Sequence, residues 1–388
     1  MGTPAPLEDR RTAVRTLLLA LGLFAAFRVS LFVFDYVGMH LFPRAGVCRP
    51  QWEVFGPDHE YWNGFFRWDS GWYRNIVLNG YRYNPDAPSS VAFYPLFPYL
   101  SRWLGVVLGG PFVAGLVVSN LATIGGIHYL LRLGVDRFDE AVAERAAVLA
   151  LVFPTSFFLS AFYTEGLFFA LAAASMFYFY RGRYVVCGLL GGLSMLTRSS
   201  GLPLFGALAL DLAFELYRKR LRFQPAMLGL LGIPLGLGVF MLILKYQVGD
   251  PFAFMKVMVY WRRSHALPWV PLIDAFQKLT PLLPEHFEDA QEILDGLTAV
   301  AFLGIGVAMI RERYPVAMWA LVLGGVFLPL TTNKLESMGR YVLCLFPAFY
   351  YLGEKCRKHP RLERFLLYAF SFFLALYGVR FIRCGFSG

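Results

Sequence analysis

Two stretches of this 388-residue chain, Phe112–Leu131 and Phe223–Leu244, contain no charged residue. Each is about 20 residues long, the length an α-helix needs to cross the hydrocarbon core of a bilayer. Neither shows a polar stripe at period 2 or 3.6, so neither has a face suited to water. A third run, Val14–Phe34, carries only Arg15 at its edge and Arg28 inside. Across the chain 57% of residues are hydrophobic and 16% are charged, against about a quarter charged in soluble domains. In lipid the backbone polar groups must be satisfied internally, which closed helices achieve. The prediction is an all-α, polytopic membrane protein. Aromatic residues reach 17%, more than interfacial belts alone require.

Helix length and loop charge predict about eleven transmembrane helices. They run Val14–Phe34, Phe112–Leu131, Ala141–Phe158, Tyr163–Tyr180, Tyr184–Leu196, Leu202–Leu216, Phe223–Leu244, Ile293–Ile310, Pro315–Leu330, Tyr341–Leu352 and Phe365–Phe381. With the N-terminus in the cytoplasm, every short inner loop is basic. These loops hold Arg132, Arg137 and Arg145; Arg181 and Arg183; Arg218, Lys219, Arg220 and Arg222; Arg311 and Arg313; and Lys355 to Arg364. That is the bias that orients membrane proteins. Two long loops, 35–111 and 246–292, then lie outside. Long loops cross regardless of their charge. Within the first, Tyr94–Leu108 is apolar but holds Pro95, Pro98 and Arg102, and reads as a re-entrant or membrane-surface helix. No soluble domain, low-complexity tract or internal repeat stands out, so residues 1–388 read as one integral membrane domain.

The net charge of +10 would suggest nucleic acid in a soluble protein. Here basic residues flank and orient spans, and no nucleic-acid partner is expected. Of the five cysteines, none has metal-site spacing. Cys187 and Cys344 fall in apolar segments. Cys48 and Cys384 would both lie outside, where pairing is open to them. Arg10, Arg11 and Arg15 precede the first apolar run with no small-residue cleavage site after it, the pattern of an uncleaved signal anchor.

Five segments could carry chemistry. The first is Arg67-Trp68-Asp69-Ser70-Gly71-Trp72-Tyr73, followed by Asn79-Gly80-Tyr81 and Phe93-Tyr94-Pro95-Leu96-Phe97-Pro98. A carboxylate among aromatics, as Asp69 is, can act as a general base on a hydroxyl, or it can simply cap a helix. The second runs from Phe153-Pro154-Thr155-Ser156 to Tyr163-Thr164-Glu165. Proline breaks a spanning pattern there, and broken helices line polar cavities. Glu165 at a helix start is also what the macrodipole favours. The third is Thr197-Arg198-Ser199-Ser200-Gly201. The fourth is Gly249-Asp250-Pro251, with Trp261-Arg262-Arg263 behind it, and an Asp-Pro turn accounts for Asp250 locally. The fifth is Glu336-Ser337-Met338-Gly339-Arg340-Tyr341, running into Phe346-Pro347. Arg198 and Arg340 break the local charge rule, which marks them as functional candidates. Fixed guanidinium groups suit a phosphate leaving group. Snorkelling or lipid headgroup contact is the alternative, and the better account of Arg262 and Arg263. Walker, HExxH, GxSxG and Asp-x-Asp patterns are absent, and no metal or cofactor is expected.

In this order, the five segments resemble the second mannosyltransferase of glycosylphosphatidylinositol-anchor synthesis and its bacterial relatives, within the GT-C superfamily. The resemblance runs from the first outer loop to the tenth span. It implies a polyprenyl- or dolichyl-phosphate-linked sugar donor, usually of mannose. It also implies an active site facing away from the cytoplasm and an essential acid in the first outer loop, which falls on Asp69. The charge-based topology puts each matched motif on that same outer side.

The resulting expectation is an inverting hexosyltransferase in a bacterial cell membrane. Asp69 would be the base and Glu165 its acidic partner. Arg340, Arg198 and Arg67 would hold the donor phosphate. Trp68, Tyr73, Tyr94, Tyr163, Asp250 and Tyr341 would contact substrate. The partners would be the lipid-linked donor, membrane lipids and a lipid, glycan or protein acceptor. A lipid-linked sugar flippase would share the spans and the cavity, and a non-catalytic assembly subunit would share the fold.

Overall fold

A computed structural model describes residues 6–261, 263–279 and 287–385. Arg262 therefore lies outside the described residues. Among them the structure is helical, apart from one antiparallel bridge between His265 and Thr332.

Five helices are long and apolar enough to cross a bilayer: Asp9–Leu41, Pro111–Arg137, Pro225–Val248, Phe287–Arg311 and Pro360–Ile382. Their outer faces are greasy, with Leu18, Val29, Leu235, Leu242, Phe365 and Phe372 all exposed. Such a surface would aggregate in water and is what lipid wets. The other predicted spans are helical but shorter. Glu165–Tyr180, Tyr184–Met195 and Val316–Leu330 fall in this class. A 16-residue helix such as Glu165–Tyr180 reaches about 24 Å, short of a core about 30 Å thick.

Two predicted spans are broken. Ala141–Phe158 is not one helix: the α-helix ends at Val152, and a 3₁₀ turn follows at Ser156–Leu159. Pro154 forces Phe153 out of the helical region, to φ −58° and ψ 142°. Likewise Tyr341–Leu352 divides into Met338–Leu343 and Pro347–Lys358. Pro347 lacks the N–H that would continue the first helix and sits well in the first turn of the second. Tyr94–Leu108 contains the nine-residue helix Leu96–Leu104, about 14 Å long and so too short to cross.

Glycine sets the closest packing. Gly188 and Gly192 face Gly229, Gly232 and Gly236 of the next helical segment. A Cβ on Gly188 would lie 1.7 Å from the Gly229 carbonyl oxygen, and one on Gly236 would lie 2.3 Å from that of Gly192. Only small residues allow such backbone contact, which drives helix association where lipid removes the hydrophobic effect.

At one end of the bundle, ion pairs knit together the loops expected to be inner. Arg181 reaches Asp9 at 2.8 Å and Asp136 at 2.9 Å, and Arg132 joins the same Asp9. Arg145 meets Glu363 at 2.9 Å, Lys355 meets Glu312 at 2.6 Å, and Arg357 pairs with Asp139. Elsewhere, Cys48 and Cys384 form a disulfide across 336 residues of sequence, with Cα atoms 5.3 Å apart. It ties the loop after the first helix to the end of the last.

Candidate active site

Asp69 stands at the N-cap of the Ser70–Asn79 helix, yet its side chain makes no capping hydrogen bond. Its backbone is instead held from below. The Tyr163 hydroxyl donates to the Arg67 carbonyl at 2.8 Å and accepts from the Asp69 N–H at 3.1 Å. Ser70 Oγ donates to the same carbonyl at 2.8 Å. Between them Trp68 takes φ 54°, a left-handed conformation costing roughly 1–2 kcal/mol for an L-residue. Such strain persists where surroundings over-determine it, commonly at functional sites.

The freed carboxylate pairs with Arg340, whose Nη1 lies 2.8 Å from Asp69 Oδ2. Arg340 Nε donates to Glu165 Oε1 at 2.7 Å, and Arg198 Nη1 reaches that same oxygen at 2.5 Å. Glu165 is fully buried, while Asp69 keeps 30% of its side chain exposed. Aromatic faces complete the seat. Arg340 lies over Phe158 at 4.6 Å and Tyr163 at 4.8 Å, and Arg198 lies over Tyr341 at 5.5 Å. Such stacking favours guanidinium over ammonium.

The Arg340 turn is fixed from two sides. Ser337 takes φ 71°. The buried carboxylate of Asp295, on the Phe287–Arg311 helix, accepts the Gly339 N–H at 3.2 Å. Thr155, from the Pro154 break, donates to the Gly339 carbonyl at 2.9 Å. A Cβ on Gly339 would sit 2.8 Å from Thr155 Cγ2, so that close approach requires glycine.

Two cavities open at this cluster, and Asp69 is the residue lining both. The smaller, about 150 Å³, holds Arg198, Arg263 and Arg340 with Tyr73, Tyr94 and Tyr341. The larger, about 490 Å³, is lined by tryptophan and arginine. Phe93 lines the smaller and packs against Trp72 and Trp261 of the larger, at 5.9 and 5.6 Å, forming the wall between them.

Several expected site residues take other places. The Arg67 side chain is buried and turns to the C-terminal helix, its Nε donating to the Ile382 carbonyl at 3.3 Å. It lines neither cavity, because the left-handed turn at Trp68 sends neighbouring side chains apart. Asp250 also lines neither. It closes its own turn on the Phe252 N–H at 3.0 Å and pairs with Lys256 at 2.7 Å. That hydrogen bond from Lys256 holds the Asp250 carboxyl below its ordinary range. Tyr163 and Glu165 sit beneath the cavities and position the groups that face them. Trp68 lines the larger cavity, its indole N–H given to the Gly385 carbonyl at 3.1 Å. Arg263, for which snorkelling or headgroup contact is the better account from sequence, lines the smaller cavity, and Asp295 is a site residue that the sequence does not single out. Arg263 reaches the Tyr341 hydroxyl at 3.4 Å. The only prior sign of Arg263 was a basic pair in an outer loop, and Asp295 showed none beyond a charge inside an apolar run. Among the described residues, no group of three or more His, Cys, Asp or Glu side chains gathers as a metal site.

The family model described as mannosyltransferase (PIG-V) matches residues 13–270. No curated protein sequence matches the chain. Its fold is similar to the crystal structure of ArnT from Cupriavidus metallidurans bound to undecaprenyl phosphate. That likeness has a TM-score of 0.55 at 15% identity, covering 92% of this chain and 69% of that one. The Archaeoglobus fulgidus oligosaccharyltransferase tethered to an acceptor peptide with the NVT sequon is similar at TM-score 0.50 and 12% identity. There the coverage is 95% of this chain and 56% of the other, so this chain spans little more than half of that protein. At such identities the likeness is one of fold. The match over residues 13–270 spans more than half of the chain and takes in Asp69, Glu165 and Arg198, and the chain therefore belongs to the mannosyltransferase (PIG-V) family.

Proposed function

We propose that this protein transfers a hexose, mannose in keeping with its family, from a polyprenyl-phosphate donor to an acceptor hydroxyl outside the cytoplasm. One observation carries the reading: Asp69 stands between two cavities, one of which is armed with three arginines. Those three guanidinium groups face the two carboxylates Asp69 and Glu165, leaving one positive charge in excess. A donor phosphodiester carries one negative charge. The ArnT structure whose fold this chain resembles is bound to undecaprenyl phosphate, which supports a lipid-phosphate donor here.

The reaction follows from that placement. The acceptor oxygen attacks the anomeric carbon as its bond to phosphate oxygen breaks. Asp69 takes the hydroxyl proton. The phosphate leaves with the bonding pair and gains a second negative charge, which the arginines meet without reorganising. One base and one displacement invert the anomeric centre, unlike the paired-carboxylate retaining scheme. Transfer of label from a radiolabelled polyprenyl-phosphate mannose by purified protein in detergent tests this. An α product from a β donor supports it, whereas retention, or donor binding without transfer, sinks it.

Arg340→Lys isolates the guanidinium fork. The charge remains, but a lysine cannot bridge Asp69, Glu165 and phosphate in one plane. The expected result is a drop in kcat/KM of about tenfold or more, the worth of a charge-assisted hydrogen bond, with a raised donor KM. Unchanged kinetics would remove Arg340 from the donor site.

Orientation has its own support. The disulfide lies beside Trp68, through the Gly385 carbonyl, and disulfides persist in oxidising compartments. The ion-paired basic loops then face the cytoplasm. A cysteine placed at Arg220 should resist an impermeant thiol reagent in intact cells and react after permeabilisation. Labelling in intact cells would reverse the topology.

A further inference from the structure

We infer that residues 382–385 position the Asp69 base and that the Cys48–Cys384 disulfide locks them there, so that transfer depends on the oxidised pair. The inference rests on the transfer reading above and gives that site a positioning element controlled by thiol oxidation.

The turn before Asp69 and the turn after the last helix hold each other. Arg67 Nε donates to the Ile382 carbonyl at 3.3 Å, and Trp68 Nε1 donates to the Gly385 carbonyl at 3.1 Å. These are the two residues that lead into Asp69, and the Arg67 carbonyl also takes the Tyr163 hydroxyl. Phe381, at the root of the second turn, packs on Tyr163 at 5.9 Å. It packs at 5.2 Å on Phe158, whose ring lies against Arg340. Trp68 and Cys384 both take left-handed backbone, at φ 54° and 66°. A residue other than glycine keeps that conformation where its surroundings impose it, and here each turn supplies part of the other's surroundings.

Behind residues 382–385 stands the loop after the first helix. Residues 41–47 of that loop are exposed, so core packing does not fix them. The loop meets the turn through the Ala45 N–H, which donates to the Arg383 carbonyl at 2.8 Å, and through the disulfide. Glu60 adds an ion pair to Arg383 at 2.9 Å. The two backbones run so close that a Cβ on Gly46 would lie 2.5 Å from the Cys384 carbonyl oxygen. A single hydrogen bond and a part-exposed ion pair exchange readily with water, whereas the S–S bond is covalent. A base displaced by about 1 Å can cost on the order of 10²-fold in rate. Arg198 and Arg340 have a separate seat on Glu165. Opening the disulfide therefore strikes kcat before it strikes donor binding.

The test takes the full chain in detergent through reduction and reoxidation. A water-soluble phosphine breaks the S–S bond; each sulfur gains a proton and the phosphine takes its oxygen from water. Oxidised glutathione re-forms the bond by exchange and leaves as two thiols. Alkylation and mass spectrometry count the two thiols gained beyond the buried Cys187, Cys344 and Cys356. Transfer from a radiolabelled polyprenyl-phosphate mannose to a washed membrane extract of the host is timed where circular dichroism shows the reduced protein folded. On reduction kcat should fall about 10²-fold with donor KM near wild type, and reoxidation should restore it. The Cys48→Ser, Cys384→Ser double variant should match the reduced protein and ignore phosphine. Trp68→Phe keeps a ring without the indole donor and should lose about tenfold. Its loss and that of reduction should fall short of additive, because both act through one bond. Hydrogen exchange in a peptide covering residues 67–73 reads the turn without turnover and should quicken on reduction. Unchanged kcat, or unchanged exchange in that peptide, after complete reduction overturns the inference and leaves transfer standing. So does a donor KM that rises in step with loss of folded protein, which would assign the disulfide to general stability. Absence of transfer by oxidised protein that binds donor overturns the transfer reading and this inference with it.

Discussion

Asp69→Asn is expected to lower turnover by about 10²- to 10⁴-fold, the usual loss on removing a general base, with donor affinity nearly unchanged. The amide keeps the volume of the carboxylate and one oxygen that can still accept from Arg340 Nη1, now 2.8 Å away. It cannot accept a proton at neutral pH. The helix it begins should be untouched, because the carboxylate makes no capping bond, and its backbone is held by Tyr163 through the N–H. The loss should therefore appear in kcat, with KM for the donor and the melting temperature near wild type. Normal turnover in this variant would make Asp69 an anchor for Arg340 and nothing more. The base would then have to be sought elsewhere along the wall between the two cavities.

Glu165→Ala should fail differently, through the fold of the site. Glu165 is fully buried, and its Oε1 holds both Arg340 and Arg198, whose own side chains are 7% and 11% exposed. Removing it leaves two buried guanidinium groups side by side with only Asp69 to answer them. Breaking a buried pair in this way costs about 3–5 kcal/mol. The thermal midpoint in detergent should fall, and donor binding should fall with it, because the arginines lose their seat. Glu165→Gln keeps the shape and restores packing without the charge, so it should recover part of the stability. Combining Glu165→Ala with Arg198→Met should cost less than the sum of the two, since the second change removes a stranded charge. A Glu165→Ala protein as stable as wild type, with donor affinity intact and turnover lost, would instead make Glu165 a proton carrier.

These contrasting roles were only partly visible along the chain. Arg198 and Arg340 stood out because a cation on an outer turn opposes the loop-charge bias, Asp69 because aromatics flank it and the family resemblance implies an acid there, and Glu165 because Pro154 breaks the span before its helix. Arg67 lies two residues from Asp69, yet adjacency in sequence is not adjacency in the site, and its side chain turns to Ile382. The left-handed backbone at Trp68 is invisible in a residue type that rarely adopts it. Asp250 shared a matching motif, but a motif can stand for a turn as readily as for a contact, and its carboxylate is spent on Phe252 and Lys256. Asp295 was hidden for the opposite reason. Its partner is a backbone N–H 44 residues away at Gly339, and no residue type advertises a backbone donor.

What the sequence by itself determined is the solvent and the secondary structure. Uncharged runs of about 20 residues can only be satisfied in lipid as helices, and the basic short loops separate the two ends. Proline at 154 marked a break in a spanning pattern, whereas the break at Pro347, inside the expected span Tyr341–Leu352, came from the structure. What only the tertiary structure decided is the meeting of Asp69, Glu165, Arg198 and Arg340, from four distant segments, in one ion-paired cluster, with an arginine-lined cavity on one side of Asp69 and a tryptophan-lined one on the other. Periodicity and charge are local properties that a chain displays residue by residue. The convergence depends instead on how the broken helices pack, on glycine contacts such as Gly188 with Gly229 and Gly339 with Thr155, and on two strained turns held by their neighbours. Those contacts are pairwise across the whole chain, and no single segment carries them.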